Sequence, residues 1–166
     1  MRSISQILDE SRTIAVVGLS FKPHRASFGV AQYLQAQGYR IVPVNPSYAG
    51  KQILGETVYA SLQDAATALA DSGARIDIVD CFRKSEDIAP IANDAIAVGA
   101  RCLWMQLGID NPMAAAKAEA AGLDVVVDRC LKIDHMMRKK SNRRVSIGGA
   151  GPTQCQALAQ RAWGTP

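Results

Sequence analysis

The sequence predicts an α/β protein built on a parallel sheet, and three observations predict it. Short apolar runs without polar alternation recur around residues 14–18, 41–44, 76–82, 102–105 and 125–127, which is how strands covered on both faces read. Between these runs lie stretches of about ten residues or more whose apolar side chains fall at helical spacing. Parallel neighbours need such crossovers, and the crossover helices must cover the faces of the sheet.

Element by element, Ser3 precedes Ile4, Ile7 and Leu8 at helical spacing, so a short amphipathic helix leads into a first strand, Ile14 to Gly18. Ser27 is read as the cap of the next helix, with Val30, Tyr33 and Leu34 on one face and Gly38 as a left-handed stop. Arg40 to Val44 is strand two. Ser61-Leu62-Gln63-Asp64 has the form of a capping-box variant, and Leu62, Ala65, Ala66 and Leu69 make the inward stripe of the helix that follows. Ile76 to Phe82 is the third strand. Ser85 is read as the next cap, ahead of Ile88, Ile91, Ala95 and Val98. Cys102 to Met105 is a strand, Asn111-Pro112 opens a helix that stops at Gly122, and Val125 to Val127 is the last strand. Together these give a Rossmann-like, doubly wound parallel sheet of about five strands in a single domain, residues 1–135. From Asp134 the pattern stops. Residues 136–166 are read as a basic, flexible tail, with Gln154 to Trp163 as one possible short helix.

Composition narrows the function. Apolar residues make up 48% and charged residues 20%, near the globular average. Aromatics at 5% are too sparse for a stacking platform of the single-stranded nucleic-acid kind. The net charge of +4 sits in the tail: residues 1–135 hold 13 Lys and Arg against 15 Asp and Glu, while 136–166 hold six basic residues and no acid. Cys81, Cys102, Cys130 and Cys155 form no CxxC pair and read as free thiols in a reducing compartment. No apolar leader and no membrane-length apolar run occurs, so a cytoplasmic location is expected.

Open α/β sheets bind ligands beyond the carboxyl ends of their strands. After strand one, Gly18-Leu19-Ser20-Phe21-Lys22-Pro23-His24-Arg25-Ala26-Ser27 offers a tight turn, a hydroxyl, a forked cation and a helix start whose free N–H groups attract anions. These residues describe a phosphate cradle, although a glycine and a serine belong to many βα turns and Arg25 can equally be solvated. The full G-x-G-x-x-G is absent. After strand two, where NAD binders usually present an acid, stands Pro43-Val44-Asn45-Pro46. Its prolines can form a ledge for a flat base with Asn45 as a hydrogen bonder, or simply a turn. Phe82-Arg83-Lys84 puts cations beside another helix start, and Gln106 and Gly108 stand at the sheet's rim. Trp104 is read as core. His24 and His135 have no Asp or Ser partner by motif, and the cysteines lack metal-ligand spacing, so no catalytic apparatus is evident.

Taken together, five ordered stretches resemble the small stand-alone CoA-binding proteins, relatives of the nucleotide domain of the succinyl-CoA synthetase α chain. They are Ala15 to Ser20, Gly38 to Pro46, Val79 to Arg83, Leu103 to Gly108 and Val127 to Lys132, and they span residues 12–135. The resemblance implies a domain that holds CoA, with pyrophosphate on the Gly18 loop, adenosine near Pro43 to Pro46, and Phe82 and Arg83 on the pantetheine or phosphate side. It does not carry over the ligase reaction, whose histidine lies in a domain absent from this match. The expected function is non-catalytic binding of CoA or acyl-CoA. Two other classes stay open: an NADP-linked oxidoreductase, favoured by the fold and Arg40, and a scaffold that binds a protein or, less expectedly, nucleic acid through its basic tail. A mixed disulfide between CoA and Cys81 or Cys130 is a further possibility.

Overall fold

The computed structural model describes residues 1–147, with side chains through 143. By its contacts the chain divides into two compact units, Met1–His135 and Met136–Pro166.

In the first unit, five parallel strands form one sheet: β1 (Thr13–Val17), β2 (Arg40–Val44), β5 (Ile78–Cys81), β6 (Cys102–Met105) and β7 (Asp124–Val126), in the order β2-β1-β5-β6-β7. Register is continuous across the centre, with Val17 beside Val44 on one side and Cys81 on the other. The chain leaves β1 toward one edge and later returns to its other side at β5. That reversal creates a crevice at the carboxyl ends of β1 and β5.

Both faces of the sheet are covered, which is why its strands read as unbroken apolar runs. Ile14, Val16, Ile41, Ile78, Cys102, Trp104 and Val126 pack with α1 (Ile4–Glu10) and α2 (Ala26–Ala36). Ala15, Val17, Val42, Val79, Cys81, Leu103 and Met105 pack with α3 (Leu62–Ala70), α4 (Ile88–Ala97) and α5 (Pro112–Ala120). Trp104 is core, as expected. It is fully buried and its indole Nε1 donates to the Arg129 carbonyl at 2.8 Å.

Several helix starts follow their sequence signals. Ser3 and Gln6 form a reciprocal capping box, Ser61 Oγ accepts the Asp64 N–H, and Asn111 caps α5 with Pro112 in its first turn. Two predicted caps are corrected. Arg25, rather than Ser27, is the N-cap residue of α2, because Ser27 is buried inside the first turn, where its Oγ accepts the Ser20 N–H at 3.1 Å. Asp87, rather than Ser85, precedes α4. Ser85 opens a 3-10 turn, and its Oγ and carbonyl accept from Asp110 N–H and Asn111 Nδ2, so it braces the loop ahead of α5.

Two features went unpredicted. A small antiparallel hairpin, β3 (Gln52–Ile53) and β4 (Glu56–Thr57), follows β2. The helix α6 (Leu131–Ile147) runs through the point where apolar periodicity ends, and in the second unit it carries Arg138, Lys139, Lys140, Arg143 and Arg144. Tertiary burial cannot signal a helix as polar as this one in its second half. The possible helix at 154–163 and Cys155 lie outside the described residues.

Candidate functional site

The crevice at the carboxyl ends of β1, β2 and β5 is built by three loops locked together by backbone and amide bonds. Gly18 N–H donates to the Val44 carbonyl and Phe82 N–H to the Val17 carbonyl, both at 2.9 Å. These bonds extend the ladder one step beyond the strands, so the loops begin from a rigid edge. Asn45 then ties them side to side. It is buried, its Nδ2 donates to the Leu19 carbonyl at 3.1 Å, and its Oδ1 accepts from Ser47 N–H at 3.0 Å and from Arg83 Nη2 at 3.5 Å. Asn45→Ala would strand those groups, and each lost buried partner costs about 1–3 kcal/mol. We expect urea denaturation of this variant to show a loss of unfolding free energy in that range, whereas a loss below about 0.5 kcal/mol, the ordinary scatter of surface changes, would show that the loops hold without Asn45.

Three clefts meet at this edge. The first, about 330 Å³, is lined by Gly18, Ser20, Lys22, Arg25, Ala26, Ser27, Asn45, Tyr48 and Phe82. No side chain caps α2, so the N–H groups at its start are available to the cleft that Ala26 and Ser27 line, and the helix dipole adds positive potential there. Ser20 Oγ accepts the Lys22 N–H at 3.2 Å, which curls the loop. The second cleft, about 510 Å³, continues past Ala26 and Phe82 and is mostly apolar, walled by Val30, Leu107, Ile109 and Cys130 with Arg83, Lys84, Asp87 and Gln106 at its polar points. The third, about 370 Å³, opens on Val44, Pro46, Leu62 and Arg83. Arg83 stands where the second and third meet.

Of the residues singled out in the sequence, Gly18, Ser20, Lys22, Arg25, Ser27, Asn45 and Phe82 are brought together in the first cleft, Arg83 and Gln106 in the second, and Val44 and Pro46 in the third. Three do not line these clefts. Leu19 is fully buried under the loop. Gly108 turns its N–H to Asp128 Oδ1 at 2.6 Å. Pro43 is buried within β2, where its carbonyl accepts the Tyr59 N–H. Its missing N–H thus falls on the outer side of an edge strand, the position where proline is tolerated in a sheet. The paired-proline ledge therefore does not form, because only Pro46 reaches the surface.

Tyr48 is a cleft residue that the sequence reading missed. It ends a 3-10 turn, Pro46–Tyr48, capped by Asn45 with Pro46 in the first position, and its ring meets Phe21 edge-on at 5.0 Å between centroids. The Asn-Pro pair that starts α5 is the same signal. Arg40, the residue that favoured NADP, begins β2 at the opposite edge of the sheet, where its Nη1 reaches Ser72 Oγ. A strand rises about 3.3 Å per residue, so Arg40 is more than 10 Å of strand away from the crevice and offers nothing to a 2′-phosphate there.

The thiols separate clearly. Cys81 is fully buried on the α3–α5 face, and burial, followed by the neighbouring Asp80 charge, pushes its thiol well above the usual range. A thiol held protonated in this way is inert. Cys130 is half-buried and lines the apolar cleft. Among the described residues no group of His, Cys, Asp and Glu gathers in a metal-binding arrangement, and no helix is long and apolar enough to cross a membrane.

A parallel, doubly wound sheet with clefts at its switch point defines a Rossmann-like domain with a crevice suited to a nucleotide. The comparisons give the particular family: residues 12–136 match the family described as the CoA binding domain, and the chain belongs to it. The chain is 36% identical over 136 residues to the uncharacterized protein YneT of Bacillus subtilis, an alignment that covers 82% of this chain and 94% of that one. Among solved structures it is similar to the cell-free ID.343 protein from Thermus thermophilus, with a TM-score of 0.72 and 33% identity over 82% of this chain and 99% of the other. A hypothetical protein from Pyrococcus horikoshii gives a TM-score of 0.71 and 36% identity over 81% and 88%. A more distant structure, RSP in complex with β-NADH, has a TM-score of 0.52 at 16% identity, with 86% of this chain and 66% of that one covered, and shares the fold alone.

Proposed function

We propose that this protein is a non-catalytic binder of coenzyme A or an acyl-CoA, with the diphosphate in the Gly18 cleft and the pantetheine arm in the apolar cleft beyond Phe82. The observation that carries the reading is the junction of a cationic, donor-rich cleft with a mostly apolar one through two shared residues, Ala26 and Phe82. CoA has that same division, a charged diphosphate continued by a long, largely apolar arm. Phosphate oxygens would take the α2 N–H groups, the Ser20 and Ser27 region, Lys22 and Arg25, which are short-range contacts that matter more than distant acids screened beyond about 8 Å. The adenosine would lie against Pro46 and Tyr48, where Tyr48 supplies the flat surface that the buried Pro43 does not. Arg83 is placed to reach either the diphosphate or the arm.

Calorimetric titration with CoA tests this directly. Saturable heat is expected, and Arg25→Ala should weaken it about tenfold or more, because a charge-assisted hydrogen bond contributes about 1.5–3 kcal/mol. Arg25 is exposed, so its removal should leave stability nearly unchanged. No heat and no thermal shift at millimolar CoA would overturn the reading.

A further inference from the structure

Asp80 is a buried carboxyl that neither the fold nor the clefts so far account for. Three carboxylates are buried among the described residues: Asp77, Asp80 and Asp124. Asp77 accepts the N–H groups of Arg12 and Thr13, and Asp124 is paired with Arg2 at 2.7 Å. Among the described residues Asp80 has no cation partner. It lies in the middle strand, fully buried, between Val16 and Trp104 on its neighbours. One oxygen, Oδ1, accepts from Gln106 Nε2 at 2.7 Å, and the other, Oδ2, has no hydrogen-bond partner among the described residues. A side chain this costly to bury is poor at holding a sheet together. Its one polar contact, Gln106, lies just past β6 and lines the apolar cleft.

We propose that Asp80 is a positioning residue that sets the polarity of the apolar cleft: by taking Gln106 Nε2 it commits Gln106 Oε1 to the ligand as a hydrogen-bond acceptor for an amide N–H of the arm. This rests on the reading of that cleft as the pantetheine site. A glutamine alone can present either end of its amide, since the two ends differ only in which is donor and which is acceptor. An ionised carboxylate accepts and cannot donate, so it allows one orientation. The cleft then offers an acceptor in apolar surroundings, where a mismatched group would be left unpaired and where a hydrogen bond discriminates strongly. Pantetheine, which carries two secondary amides, can supply the complementary N–H.

The test compares CoA with ADP, which has the diphosphate but lacks the arm, by calorimetry and competition at pH 8, above the value near 7 to which burial moves the Asp80 carboxyl. Gln106→Met and Asp80→Leu should each weaken CoA about tenfold while ADP affinity stays within twofold. Asp80→Asn, which can still accept from Gln106 Nε2 but no longer compels it, should fall between. In a Gln106→Met background, Asp80→Asn should have no further effect, because its route to the ligand has been removed. Equal weakening of CoA and ADP in the Asp80 variants would mark a purely structural role and overturn the proposal, as would CoA affinity unchanged by Gln106→Met. Should Asp80→Leu fail to fold, the Asp80→Asn and Gln106→Met pair decides. If the unaltered protein binds neither nucleotide, or binds CoA that ADP cannot displace, the cradle reading itself fails and the assignment falls with it.

Discussion

Gly18→Ala should be the most damaging single-methyl change in the crevice, with a loss of about 3 kcal/mol or more, because two separate costs fall on one residue. Gly18 has φ +88°, a conformation that costs an L-residue about 1–2 kcal/mol. A Cβ placed there would also lie 2.5 Å from the Phe82 carbonyl oxygen and 3.2 Å from Arg83 Nε. The carbonyl is backbone and cannot swing away. Its own residue is bonded to Val17, while Gly18 is bonded to Val44, so relief requires parting β1 from β5 where the three loops meet. Gly38→Ala is the matched control. Gly38 has φ +96°, and a Cβ there would meet nothing within 4 Å beyond its chain neighbours, so only the conformational cost applies. Urea denaturation should show the Gly18 variant losing at least about 1 kcal/mol more than the Gly38 variant, with CoA binding lost in the former and kept in the latter. Equal losses would show that the loop yields to the methyl group and that close approach is not what requires a glycine.

That contrast also marks what was legible in the sequence. The sheet was readable because burial on both faces leaves strands with no polar alternation, and the helices because their apolar stripes and three of their caps are local signals. That Gly18, Ser20, Lys22, Arg25 and Ser27 share one cleft was readable because they follow the first strand directly, where the topology forces a crevice. Local reasoning failed where the deciding partner is distant. Ser85 looks like a cap, but Asp110 and Asn111 claim it from 25 and 26 residues away. Pro43 looks available to a ligand, but the edge of β2 buries it, and Asn45 looks like a base reader until Leu19, Ser47 and Arg83 occupy its amide. Tyr48 was recoverable, since Asn45-Pro46 repeats the helix-starting pair at Asn111-Pro112. The Asp80–Gln106 contact spans 26 residues between adjacent strands, and no spacing rule in a single sequence exposes it.

Asp80 also predicts how stability varies with pH, in a direction opposite to that of ordinary ion-paired carboxylates. Desolvation pushes its carboxyl from the ordinary 3.8 up to about 7, with the Gln106 hydrogen bond opposing only in part. As pH rises past about 4 the unfolded chain gives up this proton while the folded protein keeps it, so the folded state binds more protons and stability falls. The loss is complete once pH exceeds the folded value near 7, and a shift of about three units corresponds to about 4 kcal/mol. Below about pH 4 both states hold the proton and the group contributes no penalty. Asp80→Asn removes the titration while retaining an acceptor for Gln106, so it should match the unaltered protein at about pH 4 and exceed it by about 4 kcal/mol at about pH 8. The difference between the two proteins cancels every other group that titrates, including Glu10, whose pairing with Arg2 lowers it and acts in the opposite direction. A difference independent of pH would mean that the carboxyl ionises in its ordinary range and is well solvated where it lies. A stepped difference would instead establish that the protein keeps a charge in its central strand at the expense of stability. The same substitution that stabilises the fold at pH 8 should then weaken its hold on the arm of CoA, which is the trade expected of a residue retained for its ligand.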